Sequence, residues 1–526
     1  MNWSATIANS LWIGSGLPTW IKFQRALNRP AETQQEILRF LLAVNVDCAY
    51  GRAHSFGEIK GYEDFAHRVP LVDYEDFEPW IDRIRGGESH VLTNEAVTHL
   101  IPTSGSTGAR KLIPFTAGLQ RQFDMAICPW MVSLARQQPG ILFGPAYWSI
   151  TPPNQAVGNA VSVVPIGFTD DASYLGGVKT RLVRAAMISP GYFNTTTSLD
   201  EFRFRTLLCL LRQRDLRLIS IWHPSFLTLL LDALPNHWDI ILKQIRLEDA
   251  RRASELAHAD PQKPELLWPQ LRLISCWGDG HAEISLADVR RRFPKVLVQP
   301  KGLLATEAFV TIPIGNHNPV AVCSHFFEFI DEQRRVRRVH ELREQEIYEV
   351  VVTTAGGLWR YRLGDQIQVT GYLGKTPSLR FIGRSGNLSD LFGEKLAEGF
   401  VARAIQEMLA ESGVTPRFIM LAPDEDAAGW RYTLYVEGNH PTDAAEKLDH
   451  HLRMNPHYAN CRDLGQLQSV RLFRIANCGY ETLTNRLVSE GNRLGDIKPM
   501  PLSRLSGWSK EFRLLEQEKN RDHSKE

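Results

Sequence analysis

The chain has few cysteines for its size: seven in 526 residues, at 48, 128, 209, 276, 323, 461 and 478. No two of them stand as C-x-x-C, which excludes the common zinc and dithiol motifs. Their odd number and wide spacing read as buried thiols in a reducing compartment. No Lys or Arg precedes Lys22, so the basic start of a secretory leader is missing. No apolar run approaches the ~20 residues that span a bilayer. These absences lead to the expectation of a soluble, cytoplasmic protein. An excess of charge is lacking too: 60 Lys and Arg against 59 Asp and Glu leave a formal net charge of +1. That balance gives no long-range field for nucleic acid or an acidic membrane, and no Lys/Arg run supplies a local one. The chain has neither internal repeats nor low-complexity blocks, and no signal for an oligomeric state.

What is present is a large apolar complement, 43% of residues. It is enough for two domains, one roughly three times the other. The first hundred residues read as mostly helical. Within them, Glu32 to Leu42 places Ile37, Leu38, Leu41 and Leu42 on one helical stripe. From about 98 to 390, short apolar runs alternate with longer helical stretches. The runs Val161–Ile166, Leu216–Ile221, Leu271–Cys276 and Val296–Val298 predict strands of an α/β domain. Ile347–Thr354, the Gly356-Gly357 turn and Leu358–Tyr372 predict a hairpin. A different texture starts near 390. A helix over Leu396–Leu409 closed by Gly413, strands at Arg417–Leu421, Arg431–Val436 and Ser469–Ile475, and a helix at Thr442–Leu452 predict a small α+β domain. The expected boundaries are 1–385 for the large domain, 386–395 for a hinge and 396–515 for the small one. The charged stretch 516–526 is expected to be a disordered tail.

The densest chemical signal is Thr103-Ser104-Gly105-Ser106-Thr107-Gly108-Ala109-Arg110-Lys111, directly after the apolar His99–Pro102. Glycines allow close backbone approach and positive φ. Hydroxyls and backbone N–H groups donate to phosphate oxygens, and Arg110 and Lys111 supply positive charge. The Walker pattern G-x-x-x-x-G-K-[ST] is absent. Alone, the stretch also fits a Ser/Gly-rich surface turn.

Three further pieces occur downstream. Thr306-Glu307 follows a predicted strand, where a carboxylate can hold Mg²⁺ beside a phosphate. Tyr361-Arg362-Leu363-Gly364-Asp365 interrupts the hairpin's second strand, and the Asp365 carboxylate is suited to accept from two ribose hydroxyls. Phe381-Ile382-Gly383-Arg384 closes the large domain, with Arg384 a candidate for ribose or phosphate oxygen. Singly, these read as a solvated acid, a turn residue and a rim arginine.

Together, and in this order, the pieces resemble the adenylate-forming superfamily, with its T-S-G-[ST]-T-G-x-P-K loop, T-E pair, Y-R-x-G-D motif and G-R hinge. More specifically, the chain resembles the Gretchen-Hagen-type auxin-responsive acyl acid amido synthetases. The resemblance runs through V-P-L-V-D-Y-E-D at 69–76, G-G-E-S-H-V-L at 86–92 and K-L-I-P at 111–114. It continues in S-H-F-F-E-F at 324–329, Y-E-V-V-V-T-T-A-G-G-L-W-R-Y-R-L-G-D at 348–365 and F-I-G-R at 381–384. It implies a large N-terminal adenylate-forming domain with a smaller α+β lid that rotates between half-reactions. It also implies ATP and Mg²⁺ as cofactors, and small-molecule partners: a carboxylic acid and an amine, expected to be an amino acid. By resemblance, Thr103, Ser104, Gly105, Ser106, Thr107, Gly108 and Lys111 hold phosphate. Thr306 and Glu307 flank the α-phosphate and the metal, Asp365 and Arg384 bind ribose, and Phe381 packs near the nucleotide. Lys395, eleven residues past Arg384, matches a family lysine, and Glu398 a family acid. Lys498, in G-N-R-L-G-D-I-K-P, stands at the superfamily's catalytic-lysine loop.

Departures are visible as well. The loop is one residue shorter than the plant form, and Arg110 replaces a frequent Pro. Leu303-Leu304 replace the Tyr-Gly that precedes the T-E pair, and Asp390 occupies the expected hinge position.

The implied reaction sets an electrostatic requirement. A carboxylate must approach an anionic α-phosphate, so the site must supply positive potential first. After pyrophosphate leaves, a neutral amine attacks the acyl-adenylate, and water must be excluded. No cysteine sits in a thiol–base setting, so a protein thioester is not expected. Rival readings are an acid–CoA ligase, a nucleotide-binding regulator without turnover, and a scaffold that uses only the fold. Trp130, Tyr147, Trp148, Phe168, Trp222 and Phe226 are candidates both for the acyl pocket and for ordinary core packing.

Overall fold

The computed structural model describes residues 2–103, 111–148, 162–167, 182, 185–188, 199–280, 282–384, 388–490 and 497–513. The chain divides into two compact units. One comprises Met1–Asp279 with Leu286–Ile382, the other Gly280–Ser285 with Gly383–Glu526. No described helix is long and apolar enough to cross a membrane.

The first unit opens with helices Trp3–Ala26, Pro30–Val44, Ala49–Ala53, Tyr62–Arg68 and Tyr74–Arg85. Pro30 starts its helix at the first-turn position that tolerates proline. Asp73 and Asp76 form a reciprocal cap on Tyr74–Arg85. Strands β1 (His99–Pro102) and β2 (Leu112–Phe115) then form an antiparallel pair. Helix Ala117–Gln137 follows, capped by the Thr116 side chain at the Leu119 N–H.

Next come β3 (Ala146–Trp148), β4 (Met187–Ile188), β5 (Leu218–Ser220), β6 (Leu273–Trp277) and β7 (Leu297–Lys301). They pair in parallel in the order β4-β3-β5-β6-β7. Both faces are covered, as a parallel sheet requires. Tyr147, Ile219, Ile274 and Cys276 enter one cluster with helices Leu199–Arg212 and Pro224–Glu248. Ala146, Leu218 and Leu273 enter the main core on the other face. The order reverses at β3 and β5, and ligands bind beyond the carboxyl ends of such strands.

The second sheet of this unit contains β8 (Phe326–Ile330), β9 (Val336–Arg338), β10 (Ile347–Thr353), β11 (Tyr361–Leu373) and β12 (Thr376–Arg384), in the order β12-β11-β10-β8-β9. Its apolar positions, among them Phe327, Val350, Tyr361 and Ile367, join the main core.

In the second unit a short pair, β13 (Leu388–Ser389) with β14 (Leu396–Ala397), leads into helix Glu398–Ala410. β15 (Pro416–Asp426) and β16 (Gly429–Gly438) are antiparallel, and β17 (Gln468–Ile475) joins β16 in parallel. Helices Ala444–Leu452, Pro456–Asp463 and Gly479–Ser489 complete the described elements.

The strand expected at Val161–Ile166 is not formed over its described part. Val163 is 70% exposed, and Ile166 alone bridges, to Leu100. Pro165 has no N–H to extend a ladder there. The stretch 386–395, expected as a hinge, is from Leu388 on part of an internally bonded hairpin. Glu394 is fully buried and accepts from the Leu391 and Phe392 N–H groups and from the Tyr432 hydroxyl. Asp390 accepts from Gly393 N–H.

Candidate functional site

The β1–β2 pair frames the expected phosphate loop. Thr103 N–H donates to Lys111 O at 2.9 Å and so closes the frame. Ser104, Gly105, Ser106, Thr107 and Gly108 lie outside the described residues. Lys111 reaches toward the first residue of Y-R-L-G-D: its ammonium is 3.5 Å from the Tyr361 hydroxyl and 5.5 Å from the Tyr74 ring. The Tyr74 hydroxyl in turn accepts from Leu112 N–H at 2.7 Å. The segment 72–74 thus holds both the loop's flank and β11, since Val72 bridges Tyr361 in parallel.

Y-R-L-G-D is a β-bulge, not a turn. Glu349 pairs with Gln366 and Val351 with Arg362, so Val350 faces Leu363, Gly364 and Asp365 together. Gly364 takes φ +74, a left-handed value that suits glycine. The bulge turns the strand where Asp365, 4% exposed, is placed. Arg362 anchors it through Glu349 at 2.8 Å and Asp73 at 3.1 Å. Arg360, one residue upstream of Tyr361, has φ +46 and is held in a buried ion pair with Glu328. It also donates to the Ala66 and Val69 carbonyls.

Thr306 and Glu307 occupy the tip of a tight reversal. Leu304 bridges Phe309, and Ala305 N–H donates to Ala308 O at 2.9 Å. Glu307 is 6% exposed. Two supports fix the reversal. Gly302 lies so close to Thr311 that a Cβ there would stand 2.4 Å from the Thr311 carbonyl oxygen. His325 Nε2 accepts from Phe309 N–H at 3.1 Å. Its Nδ1–H then donates to Gln122 Oε1 at 3.0 Å, the same oxygen that accepts from Ala355 N–H at 2.8 Å. Burial holds this imidazole neutral, lowering it to about 3. One neutral histidine and one glutamine therefore couple the Glu307 reversal to the T-T-A-G-G stretch that leads into Tyr361–Asp365.

Phe381 belongs to the same unit. Its N–H donates to Asp279 Oδ2 at 3.1 Å, and its ring meets Trp277 edge-on at 5.4 Å. Trp277 ends β6 opposite Lys301 of β7, and the chain runs from Lys301 into Glu307. In this unit the structure thus links Thr103, Lys111, Thr306, Glu307, Asp365 and Phe381 through short bonded paths. The bonded geometry suits an anionic, hydroxyl-bearing ligand: a lysine at the loop's flank and two buried carboxylates, one on a tight reversal and one on a β-bulge.

Arg384, Lys395 and Lys498 lie in the second unit. Gly383 packs against Gly399, and a Cβ at Gly383 would stand 2.6 Å from the Gly399 Cα. Lys395 is exposed, with φ +48, directly after the buried Glu394 clamp. Asn455 fixes its carbonyl at 3.2 Å. Glu398 opens helix Glu398–Ala410. Lys498 is exposed, and Gly491–Asp496 before it lie outside the described residues.

Models of the GH3 family match in three stretches that together exceed half of the chain: the N-terminal domain over 20–250, the central domain over 319–384 and the C-terminal domain over 399–506. The chain belongs to the GH3 family. Among curated GH3 relatives, indole-3-acetic acid-amido synthetase GH3.15 of Arabidopsis thaliana is 24% identical, over 77% of this chain and 77% of that protein. Probable indole-3-acetic acid-amido synthetase GH3.12 of Oryza sativa subsp. japonica is 23% identical, over 90% and 92%. Jasmonoyl–L-amino acid synthetase GH3.5 of the same rice is 22% identical, over 73% and 76%. The solved structure of AtGH3.15 acyl acid amido synthetase in complex with 2,4-DB superposes with a TM-score of 0.79 at 19% identity, covering 92% of this chain and 93% of that one. The fold of that GH3 structure is therefore the fold of this chain.

Gln122, Asp279 and the bonding of His325 carry no signal in the sequence. His325 stands inside the S-H-F-F-E-F stretch, but its bonding depends on Phe309, 16 residues upstream, and on Gln122, 203 residues upstream. Of the acyl-pocket candidates, Trp130 and Tyr147 are buried core residues, and Trp130 donates to Gln299. Trp222 is 41% exposed, and Phe168 lies outside the described residues. Among the described residues no group of three or more His, Cys, Asp or Glu forms a metal cluster.

Proposed function

We propose that the chain is an ATP-dependent acyl-acid amido synthetase, which forms an acyl-AMP with release of pyrophosphate and passes the acyl group to an amino acid. The observation that carries this reading is the bonded coupling, within a GH3 chain, of the Thr103–Lys111 frame, the Glu307 reversal and the Asp365 bulge. In the reaction so proposed, Lys111 and the loop's N–H and hydroxyl donors offset phosphate charge as the carboxylate approaches. Asp365 accepts from ribose hydroxyls. Phe381 and Trp277 supply apolar surface beside the nucleotide. The buried turns around Glu307 and Asp365 exclude water, which favours aminolysis over hydrolysis. Magnesium fits the donor set as an ion carried in with the nucleotide. Glu307 offers one carboxylate, and that ion accepts one or two carboxylates plus phosphate oxygens. When bound, it spreads the charge of the phosphates. A cysteine nucleophile has no part in this scheme: Cys276, near Lys301, is pushed up to about 12 by burial and stays a thiol at neutral pH.

The test is ATP–pyrophosphate exchange against aryl, indolyl and fatty acids, followed by trapping with amino acids or with coenzyme A in parallel. Exchange with at least one acid and amide formation with an amino acid is the expected result. Thioester with no amide would move the chain to the acid–CoA ligases. ATP binding without exchange would make it a nucleotide-binding regulator.

A further inference from the structure

Lys301 closes β7 as a lysine only 9% exposed, with no carboxylate beside it among the described residues. Its ammonium lies 5.1 Å from the centroid of the Trp222 ring. Among the described residues it makes no hydrogen bond and no ion pair. Lysines this deeply buried are ordinarily paired, because an isolated ammonium loses its hydration without recompense. Burial lowers Lys301 to about 8, so it still carries its proton at pH 7.

The surroundings explain what it awaits. Strand alternation puts Trp148, Trp277 and Lys301 on one face of the parallel sheet, at the carboxyl ends of β3, β6 and β7. Trp222 continues β5 on the same face, since Trp277 N–H donates to its carbonyl at 2.8 Å. Trp222 is 41% exposed, so the edge is open to solvent on that side. Three indole rings and one cation with no carboxylate partner among the described residues thus line the end of the sheet where α/β folds bind ligands. The cation sits six residues before Glu307, outside the phosphate-loop frame.

Resting on the amido-synthetase reading, we propose that Lys301 is the cation that seats the carboxylate of the acyl acid, with the Trp222 and Trp277 rings as the adjoining wall. It is a substrate-binding residue, separate from the lysines expected at phosphate. An acid without a flat ring would still use the ammonium, whereas a neutral analogue of any shape would forfeit it.

The experiment is calorimetric titration of the full chain and of Lys301→Met and Lys301→Gln. The probes are benzoate, indole-3-acetate and dodecanoate, each beside its primary amide, and AMP. The wild type is expected to bind at least one acid ~10-fold more tightly than its amide, as a charge-assisted bond gives. Both variants are expected to lose that preference, to bind AMP unchanged and to melt no lower, because the charge removed is desolvated and has no carboxylate partner among the described residues. A preference retained in either folded variant, loss of AMP rather than acid binding, or no binding by any of the three acids overturns the proposal. Pyrophosphate exchange separates the two readings. Acid preference at Lys301 without exchange sinks the activity and leaves the site, whereas exchange with an undiminished preference in Lys301→Met sinks the site alone.

Discussion

His325 offers the sharpest test of how the candidate site is held. It is fully buried, flanked edge-on by Phe123 and Phe327, and bonded at both nitrogens. Its imidazole is lowered from 6.5 to about 3 by burial. A histidine whose folded pKa lies below its unfolded value contributes stability in full above about 6.5, and that stability is lost as pH falls toward 3. At pH 5.0 the unfolded chain binds the proton and the folded chain does not. The gap from 6.5 spans about 1.5 pH units, and at ~1.4 kcal/mol per unit the loss is about 2 kcal/mol relative to pH 7.5. His325→Gln keeps an acceptor for Phe309 N–H and a donor for Gln122 but cannot titrate. The assay is urea unfolding followed by tryptophan fluorescence, which reports the first unit because eleven of the thirteen tryptophans lie there. The pH dependence of the wild type minus that of His325→Gln should show the 2 kcal/mol loss between pH 7.5 and 5.0. Parallel curves for the two proteins would refute the reasoning, since a histidine indifferent to pH is either exposed or already charged when folded.

Gly302→Ala sets a Cβ against the Thr311 carbonyl oxygen. It should lower stability by ~1–3 kcal/mol as an overpacking change and reduce pyrophosphate exchange by displacing Glu307; a thermal melt and the exchange assay check both. Arg360→Met strips the buried Glu328 of its partner. The expected loss is ~3–5 kcal/mol, read as a shift of the urea midpoint, and a shift under 1 kcal/mol would contradict the burial of the pair. Lys395→Gly removes an exposed ammonium at φ +48, a conformation glycine takes without strain. Its melting temperature should hold or rise while exchange falls ~100-fold, as for loss of one transition-state stabiliser; unchanged exchange would leave Lys498 as the candidate lysine.

Much of the architecture was legible because it is written in local chemistry. The apolar runs Leu216–Ile221 and Leu271–Cys276 read as strands, and Leu218–Ser220 and Leu273–Trp277 form there, because a covered parallel sheet needs no alternation. The Gly356-Gly357 turn announced the β10–β11 hairpin because glycine meets the backbone demand there: Gly357 takes φ +100 against Leu92. Legibility failed where a long-range partner decides the outcome. Val161–Ile166 has strand-like composition, but its described part meets β1 only at Leu100, so no ladder follows. Tyr361–Asp365 gave its residues but not its bulge, which comes from the register against Glu349 and Val351.

By itself the sequence determined which groups are candidates to carry chemistry: the hydroxyl and glycine loop, the Glu307 and Asp365 carboxylates, and the candidate lysines. Residue type and order are properties of the chain alone. Tertiary structure decided which groups are paired and which are not. His325 became a neutral strut because Gln122 and Phe309 close on it, and Lys301 has no carboxylate partner among the described residues because the neighbouring β6 ends in Trp277 and its ammonium meets the Trp222 ring. Charge pairing and desolvation depend on what lies within a few ångströms, and only folding sets those distances.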